Sequence, residues 1–364
     1  MQVIKNWSAF QKVASVILLI LYFVGWLAIG FLYAKKAEQK LELQVGTFKN
    51  SGIIPKVADM ASPVSGVLYT KEEEEKWQKL LPLAVVIENH TDARPQSGLN
   101  RAEVVYETLA EGGITRFLAV FLAETSRLGP VRSNRPYFLD WVSEYAAGYA
   151  HVGGSPLAQS LVKTYKIKDL DQFFLGAPTY ERVTNRFAPH NVYTTTERLR
   201  KAASSRGYKG PVKIQSWAFT QMEALPSRRP KGFTLDLGFL GAYGYDVRWT
   251  YDRKSNGYLR SNGGVIHKDV ITNKRLSAKN IIVQYVQISP EPSGHSRILQ
   301  KTIGSGKAFV FKDGKAYAAT WKKKSRTSRT VFLDKKGKEI PLNRGRIWVE
   351  VVPTASYVKY TTKK

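Results

Sequence analysis

The chain has 364 residues, 43% of them apolar and 12% aromatic, enough for a substantial core and about two domains. It contains no cysteine, which excludes disulfides, thiolate metal sites, a cysteine nucleophile and lipid attachment through cysteine. The net charge of +27 is unevenly spread: Lys+Arg against Asp+Glu is 10 to 7 in residues 1–81, 13 to 12 in 82–200, 16 to 6 in 201–300 and 17 to 4 in 301–364. The carboxyl-terminal part therefore attracts polyanions such as anionic lipid, phosphate-bearing wall polymer or nucleic acid.

Residues 1–12 read as a short cytoplasmic tail. The stretch Val13–Ala34 runs 22 residues without a charge, and a helix of that length rises about 33 Å, enough to cross a bilayer. Its apolar run exceeds that of a cleavable signal peptide, so the reading is one uncleaved transmembrane anchor with the bulk of the chain outside. Lysines 5 and 12 before it and 35, 36 and 40 after it nearly balance, so the positive-inside rule adds little. Residues 35–81 read as an extracytoplasmic tether, with KEEEEK (71–76) as a solvated helical turn. Folded structure is expected to begin at LPLAVVIEN.

Residues 82–220 alternate strand-like and helix-like stretches, which predicts an α/β sandwich-like domain. LAVVIE (83–88), TRFLAVFLA (115–123) and GYAHV (148–152) read as strands, and AEVVYETLA (102–110) starts helical and turns strand-like. PYFLDWVSEYAAGY (136–149) and SPLAQSLVKTY (155–165) read as helices, and Thr194 with Glu197 matches a capping box for another.

Two loops in this domain suit anions. In GPVRSNRP (129–136), Pro136 fits the first turn of a helix, which places Arg132, Ser133 and Arg135 at a positive helix end. Guanidinium forks match carboxylate or phosphate. The competing reading is internal neutralisation by Glu107, Glu111 or Asp140. In HVGGSP (151–156), Gly153 and Gly154 allow close approach of a ligand and Ser155 caps the following helix. Ser155 reads as an N-cap ahead of an esterase nucleophile, because Pro156 lacks the N–H that the esterase elbow uses and position 157 is Leu and not Gly. Arg94, Arg116 and Asn191 complete the candidate ligand-binding set. Glu88, Glu111, His151 and His190 are the candidates for acid–base work. No H-E-x-x-H or phosphate-loop motif is present, so no metal ligands and no cofactor are assigned.

Residues 221–364 read as a basic β-rich domain, a meander or small barrel-like sheet. YDVRWTYD, GYLRS and NIIVQYVQI alternate as strands, Asp313-Gly314 marks a two-residue hairpin within AFVFKDGKAYAATW, and VFLDKKGKEIPL forms a second hairpin before the closing strand GRIWVEVV. His267 and Asp269 in VIHKD read as a surface pair.

The stretches IENHTDARPQSGLNRAEVVYETLAEGGITRF, GPVRSNRP, HVGGSP and RFAPHNVY, followed by WTYDRKSNGYLRSNGGVIHKD, GSGKAFVFKDGKAYAATWKK and IPLNRGRIWVEVVP, resemble the YerB-like family of bacterial lipoproteins across residues 82–353. The resemblance implies an extracytoplasmic protein of two domains whose biochemical role is not established, so no catalytic residue carries over from it. Relatives are commonly tethered through a lipidated amino-terminal cysteine; this chain has none, leaving Val13–Ala34 to do the anchoring. The expectation is a tethered envelope protein that binds an anionic cell-wall polymer or a peptidoglycan-related enzyme. The alternative is a cell-wall hydrolase or transferase; nucleic acid is the weakest candidate, since no nucleic-acid fold signature accompanies the basic residues.

Overall fold

The computed structural model describes residues 13, 14, 18, 21–36, 38, 39, 57–240, 244–292 and 295–363. Residues 1–57 and 58–364 form two units. In the first, residues 21–36 are helical, with Leu21, Phe23, Trp26, Leu27, Phe31 and Leu32 all exposed. Among the described residues no helix is long and apolar enough to cross a membrane, and much of the amino-terminal half of the expected anchor lies outside them.

The strands that matter here are, in chain order, β1 (Leu83–Glu88), β2 (Val104–Leu109), β3 (Thr115–Phe121), β4 (Gly148–His151), β5 (Lys168–Asp171), β6 (Gly232–Leu237), β7 (Val247–Asp252), β8 (Gly257–Asn262), β9 (Asn280–Val286), β10 (Gly304–Lys312), β11 (Lys315–Lys323), β12 (Val331–Leu333), β13 (Ile347–Pro353) and β14 (Val358–Lys363). The helices are α1 (Lys71–Trp77), α2 (Phe138–Glu144), α3 (Pro156–Thr164), α4 (Gln172–Thr179) and α5 (Thr196–Ser205).

One ten-stranded mixed sheet runs β12-β11-β10-β9-β13-β2-β3-β1-β4-β5. The segments 82–220 and 221–364 thus share a sheet, joined where β13 lies parallel to both β9 and β2. GRIWVEVV is a central strand, not a closing one, and the expected meander is divided: β6, β7, β8 and β14 belong to a second, six-stranded sheet. Long-range register settles this, and local periodicity does not encode it.

Both faces of the large sheet are covered, which is why LAVVIE and IWVEVV are continuous apolar runs and not alternating ones. Val85, Phe117, Ile281, Phe311 and Trp348 pack toward Phe233, Leu235, Trp249 and Tyr258 of the second sheet. Val86, Leu118, Val120, Ile282 and Val349 pack toward Phe138, Trp141, Val142 and Tyr145 in and beside α2.

The turns follow their chemistry. Asp313 and Gly314 take φ of 54° and 67°, the left-handed pair that a two-residue hairpin needs. Ser155 caps α3 by accepting from Ala158 N, with Pro156 following it. The capping box expected at Thr194 does not form; Thr195 caps α5, and the Thr194 hydroxyl donates to Thr179 O. Residues 58–81 are folded and not a tether. Val64 and Trp77 are buried, Thr70 and Glu73 form a capping box on α1, and Ser62 and Ser65 donate to the buried Glu103 carboxylate at 2.7 and 2.9 Å.

Candidate functional site

The end of β1 gathers the polar loops. Glu88 closes that strand opposite Arg116 of β3, and its N–H donates to Pro130 O, which draws the GPVRSNRP loop alongside. The buried Glu88 carboxylate uses both oxygens: Oε1 lies 2.9 Å from Arg132 Nε, and Oε2 accepts from His190 Nδ1 at 3.0 Å. His190 arrives from the RFAPHNVY loop and stacks on His90, ring centroids 4.6 Å apart. His90 lies 3.5 Å from Asp92 across a tight turn, and Arg186 clamps that turn by donating to Asp92 O and Pro95 O.

A second carboxylate, Glu111, sits between Arg116, 3.2 Å away, and Arg135, whose Nε donates to it. Internal neutralisation therefore operates at this loop, through Glu111 as one of the expected partners and through Glu88. Glu107 turns to Arg260 and Asp140 accepts from Thr302. Burial, followed by repulsion from Arg135, lowers Arg116 to about 10. The helix after this loop starts at Phe138 with Tyr137 at its cap, two residues later than Pro136 implied, and has seven residues. A helix that short supplies no anion-binding end.

The remaining candidates lie elsewhere. Arg94 points toward the second sheet, donating to Asn89 and Gly244 O, with its guanidinium 4.9 Å from the Tyr245 ring. Asn191 accepts from Arg182 at 2.8 Å. His151 is fully buried, bonded to Gly153 O and Asp169, where no substrate reaches it. The glycines of HVGGSP make room for protein and not for a ligand. A Cβ on Gly153, which has φ of 54°, would lie 2.5 Å from the Phe173 ring, and one on Gly154 would lie 3.0 Å from Asn134. His267 and Asp269 are buried and not a surface pair. His267 bridges Arg260 and Gln96, and Asp269 accepts from Asn100 N and Thr272 N.

Sequence reasoning overlooked two groups. His90 and Asp92 stand two apart in ENHTDA, a chelating spacing across a turn that was visible. Lys301 and Lys307 line a cavity of about 340 Å3 with Tyr285, Gln287, Ser305, Gly306, Trp321 and Thr354; only the meeting of four separate stretches reveals it. Among the described residues neither lysine has a carboxylate within ion-pair distance, and Lys307 Nζ hangs 5.3 Å over Tyr285 and 5.2 Å over Phe309.

The profiles of "Protein of unknown function (DUF3048)" match in both parts, the N-terminal domain over residues 67–209 and the C-terminal domain over 236–349. The chain belongs to the DUF3048 family. Among DUF3048 relatives, "Putative lipoprotein YerB" of Bacillus subtilis is 32% identical over 298 residues, covering 82% of this chain and 88% of that protein. The crystal structure of Bacillus subtilis YerB superposes with a TM-score of 0.73 at 29% identity, covering 83% of this chain and all of that one. In this DUF3048 protein the two named halves meet in a single sheet at β13 and β2. The Glu88–His190–His90 cluster falls within the N-terminal match, and most of the lysine-lined cavity falls within the C-terminal one.

Proposed function

We propose that this chain is a membrane-tethered extracytoplasmic protein that binds an anionic cell-wall polymer through its basic carboxyl-terminal face. The observation that carries the reading is the pair of lysines, 301 and 307, at one cavity without carboxylate partners among the described residues. Ammonium groups beside Tyr285, the Ser305 hydroxyl and the amide of Gln287 suit a polymer of sugars and phosphates, with ring faces for apolar edges and donors for oxygen. Exposed Lys322 and Lys324, at and just beyond the same end of β11, extend the positive field beside it, and exposed Lys315, Lys335, Lys336 and Lys338 add to the net charge of this part of the chain. The arginines near β1 contribute less, because Glu88 and Glu111 already hold them. The apolar stretch Val13–Ala34 supports the tether, and the relative's lipoprotein name supports the location.

Sedimentation of the full chain with purified phosphate-bearing wall polymer tests this. Binding is expected to weaken steeply between low and high salt, and a Lys301→Glu/Lys307→Glu double variant is expected to lose about tenfold or more in affinity. Salt-insensitive binding, or a double variant that binds like the parent, would overturn the reading.

The Glu88–His190 hydrogen bond favours a second reading, acid–base hydrolysis or transfer on the cell wall. A buried carboxylate orienting an accessible imidazole is a general-base arrangement. On that reading Glu88→Gln and His190→Ala each slow muropeptide turnover by about a hundredfold or more; unchanged turnover in both removes it.

A further inference from the structure

We propose that His90, Asp92 and His190 form a binding site for one divalent transition-metal ion of the zinc, nickel or cobalt type. The potential ligand atoms of the three side chains all lie within 4.8 Å of one another. Ligands about 2.0–2.1 Å from a tetrahedral ion stand about 3.3 Å apart, so the trio must draw together and the stacked imidazoles must turn out of parallel until both ring planes contain the ion. Freedom for that exists where it is needed: Asp92 is 69% exposed and His90 31%, while His190 is held.

The buried Glu88 does the holding. It accepts from His190 Nδ1 at 3.0 Å, which fixes the tautomer whose Nε2 lone pair faces away from Glu88 and is free to ligate. A carboxylate behind a ligating histidine is the arrangement that orients imidazoles in metal sites and raises their basicity. His90 Nδ1 accepts the Asp92 N–H at 3.2 Å and stands 3.5 Å from the Asp92 carboxylate, so ligation through that nitrogen exchanges this long hydrogen bond for the ion. The stacked rings bring together two residues a hundred positions apart, one from each of two loops beside β1.

Ligand chemistry selects the ion. Two imidazoles with one carboxylate favour the borderline transition metals, whereas calcium and magnesium require oxygen-rich cages. Three protein ligands on a partly exposed face leave positions for water or an anionic ligand. The nearby cations oppose the ion: Arg132 is offset by its pairing with Glu88, and Arg186 is tied to backbone carbonyls. The expected site is thus reversible and not a buried structural one.

Calorimetric titration of the untagged full chain with zinc chloride, and separately with calcium and magnesium chloride, decides the matter. One equivalent of zinc is expected to bind, with no saturable heat from calcium or magnesium. His90→Ala, His190→Ala and Asp92→Asn are each expected to weaken zinc binding by about tenfold or more, and Glu88→Gln by about tenfold. Asp92→Asn changes an exposed side chain, so that arm stands even if a histidine variant misfolds, and circular dichroism of each variant checks the fold. No zinc uptake by the parent chain, equal response to calcium, or unchanged affinity in Asp92→Asn with a folded His190→Ala would overturn the site.

Discussion

Replacing Glu144 with glutamine is expected to destabilise the protein by about 3–5 kcal/mol, seen as a lower urea midpoint with an unchanged slope. Glu144 ends α2 with its side chain fully buried, and it neutralises two cations that are buried too. Lys323 Nζ, from β11, donates to its Oε1 at 2.7 Å, and Arg329 NH1 lies 3.4 Å from Oε2. Thr330 adds its hydroxyl at 2.6 Å and its backbone N–H at 3.2 Å. Glutamine fills the same space without the charge, so both cations stay buried with only neutral acceptors, the new amide oxygen, Ser328 O and Gln215 O. Burial already lowers the Lys323 ammonium, which marks the cost of keeping it there. Arg329 retains the Tyr145 and Trp217 rings at 4.4 and 4.1 Å, which soften the loss without cancelling it. Removing all three charges together with leucine and methionine replacements is expected to be far milder than the single change, because no orphan charge is left behind. Equal losses in the single and triple variants would contradict this account.

The second large effect lies between the sheets. Glu107 and Glu350 stand side by side on β2 and β13, both fully buried, with Arg260 from β8 donating to Glu107. Trp249 Nε1 donates to Glu350 at 2.7 Å, and the rings of Trp348, Phe117 and Trp249 lie 5.0 to 5.7 Å from the guanidinium. Burial, and then the neighbouring Glu107 carboxylate, push Glu350 well above the usual carboxylate range, so it keeps its proton in the folded state. A raised folded pKa means that this contribution is intact below about pH 4.3, where the unfolded glutamate is still protonated, and is eroded as pH rises toward the folded value. Glu350→Gln, permanently neutral, is therefore expected to be near neutral at low pH and increasingly stabilising relative to the parent as pH climbs. Arg260→Met is expected to cost about 3–5 kcal/mol, because Glu107 loses its cation while fully buried. Adding Glu107→Gln to Arg260→Met should restore part of it. Urea unfolding from pH 5 to 8 reads all of these, and a Glu350→Gln effect that does not grow with pH, or an Arg260→Met penalty that Glu107→Gln leaves untouched, would refute the scheme.

Local chemistry made several elements legible in advance. Glycine after aspartate gave away the 313–314 hairpin, serine before proline gave away the α3 cap, and apolar runs gave away β1 and β3. Partner choice was not legible. Nothing in IWVEVV says that it inserts beside VVYETL from 240 residues earlier, because pairing depends on the whole assembly. The site followed the same division. Arginines and carboxylates at the end of β1 were recognisable as types, yet only the folded loops reveal that Glu88 takes Arg132 while Glu111 takes Arg116 and Arg135. Burial was the other hidden variable: His151 and His267 are ordinary histidines on paper and enclosed ones in space. His90 and Asp92 were the avoidable miss, since a short chelating spacing carries information once a third ligand is sought at a distance.

The position of β13 has a consequence for biogenesis. As the chain leaves the ribosome amino end first, β2 has nothing on one flank until residues 347–353 emerge, long after its own residues 104–109. An unzipped flank of that kind delays closure of the large sheet until β13 has been made, which ties the early and late stretches of the chain into a single folding event.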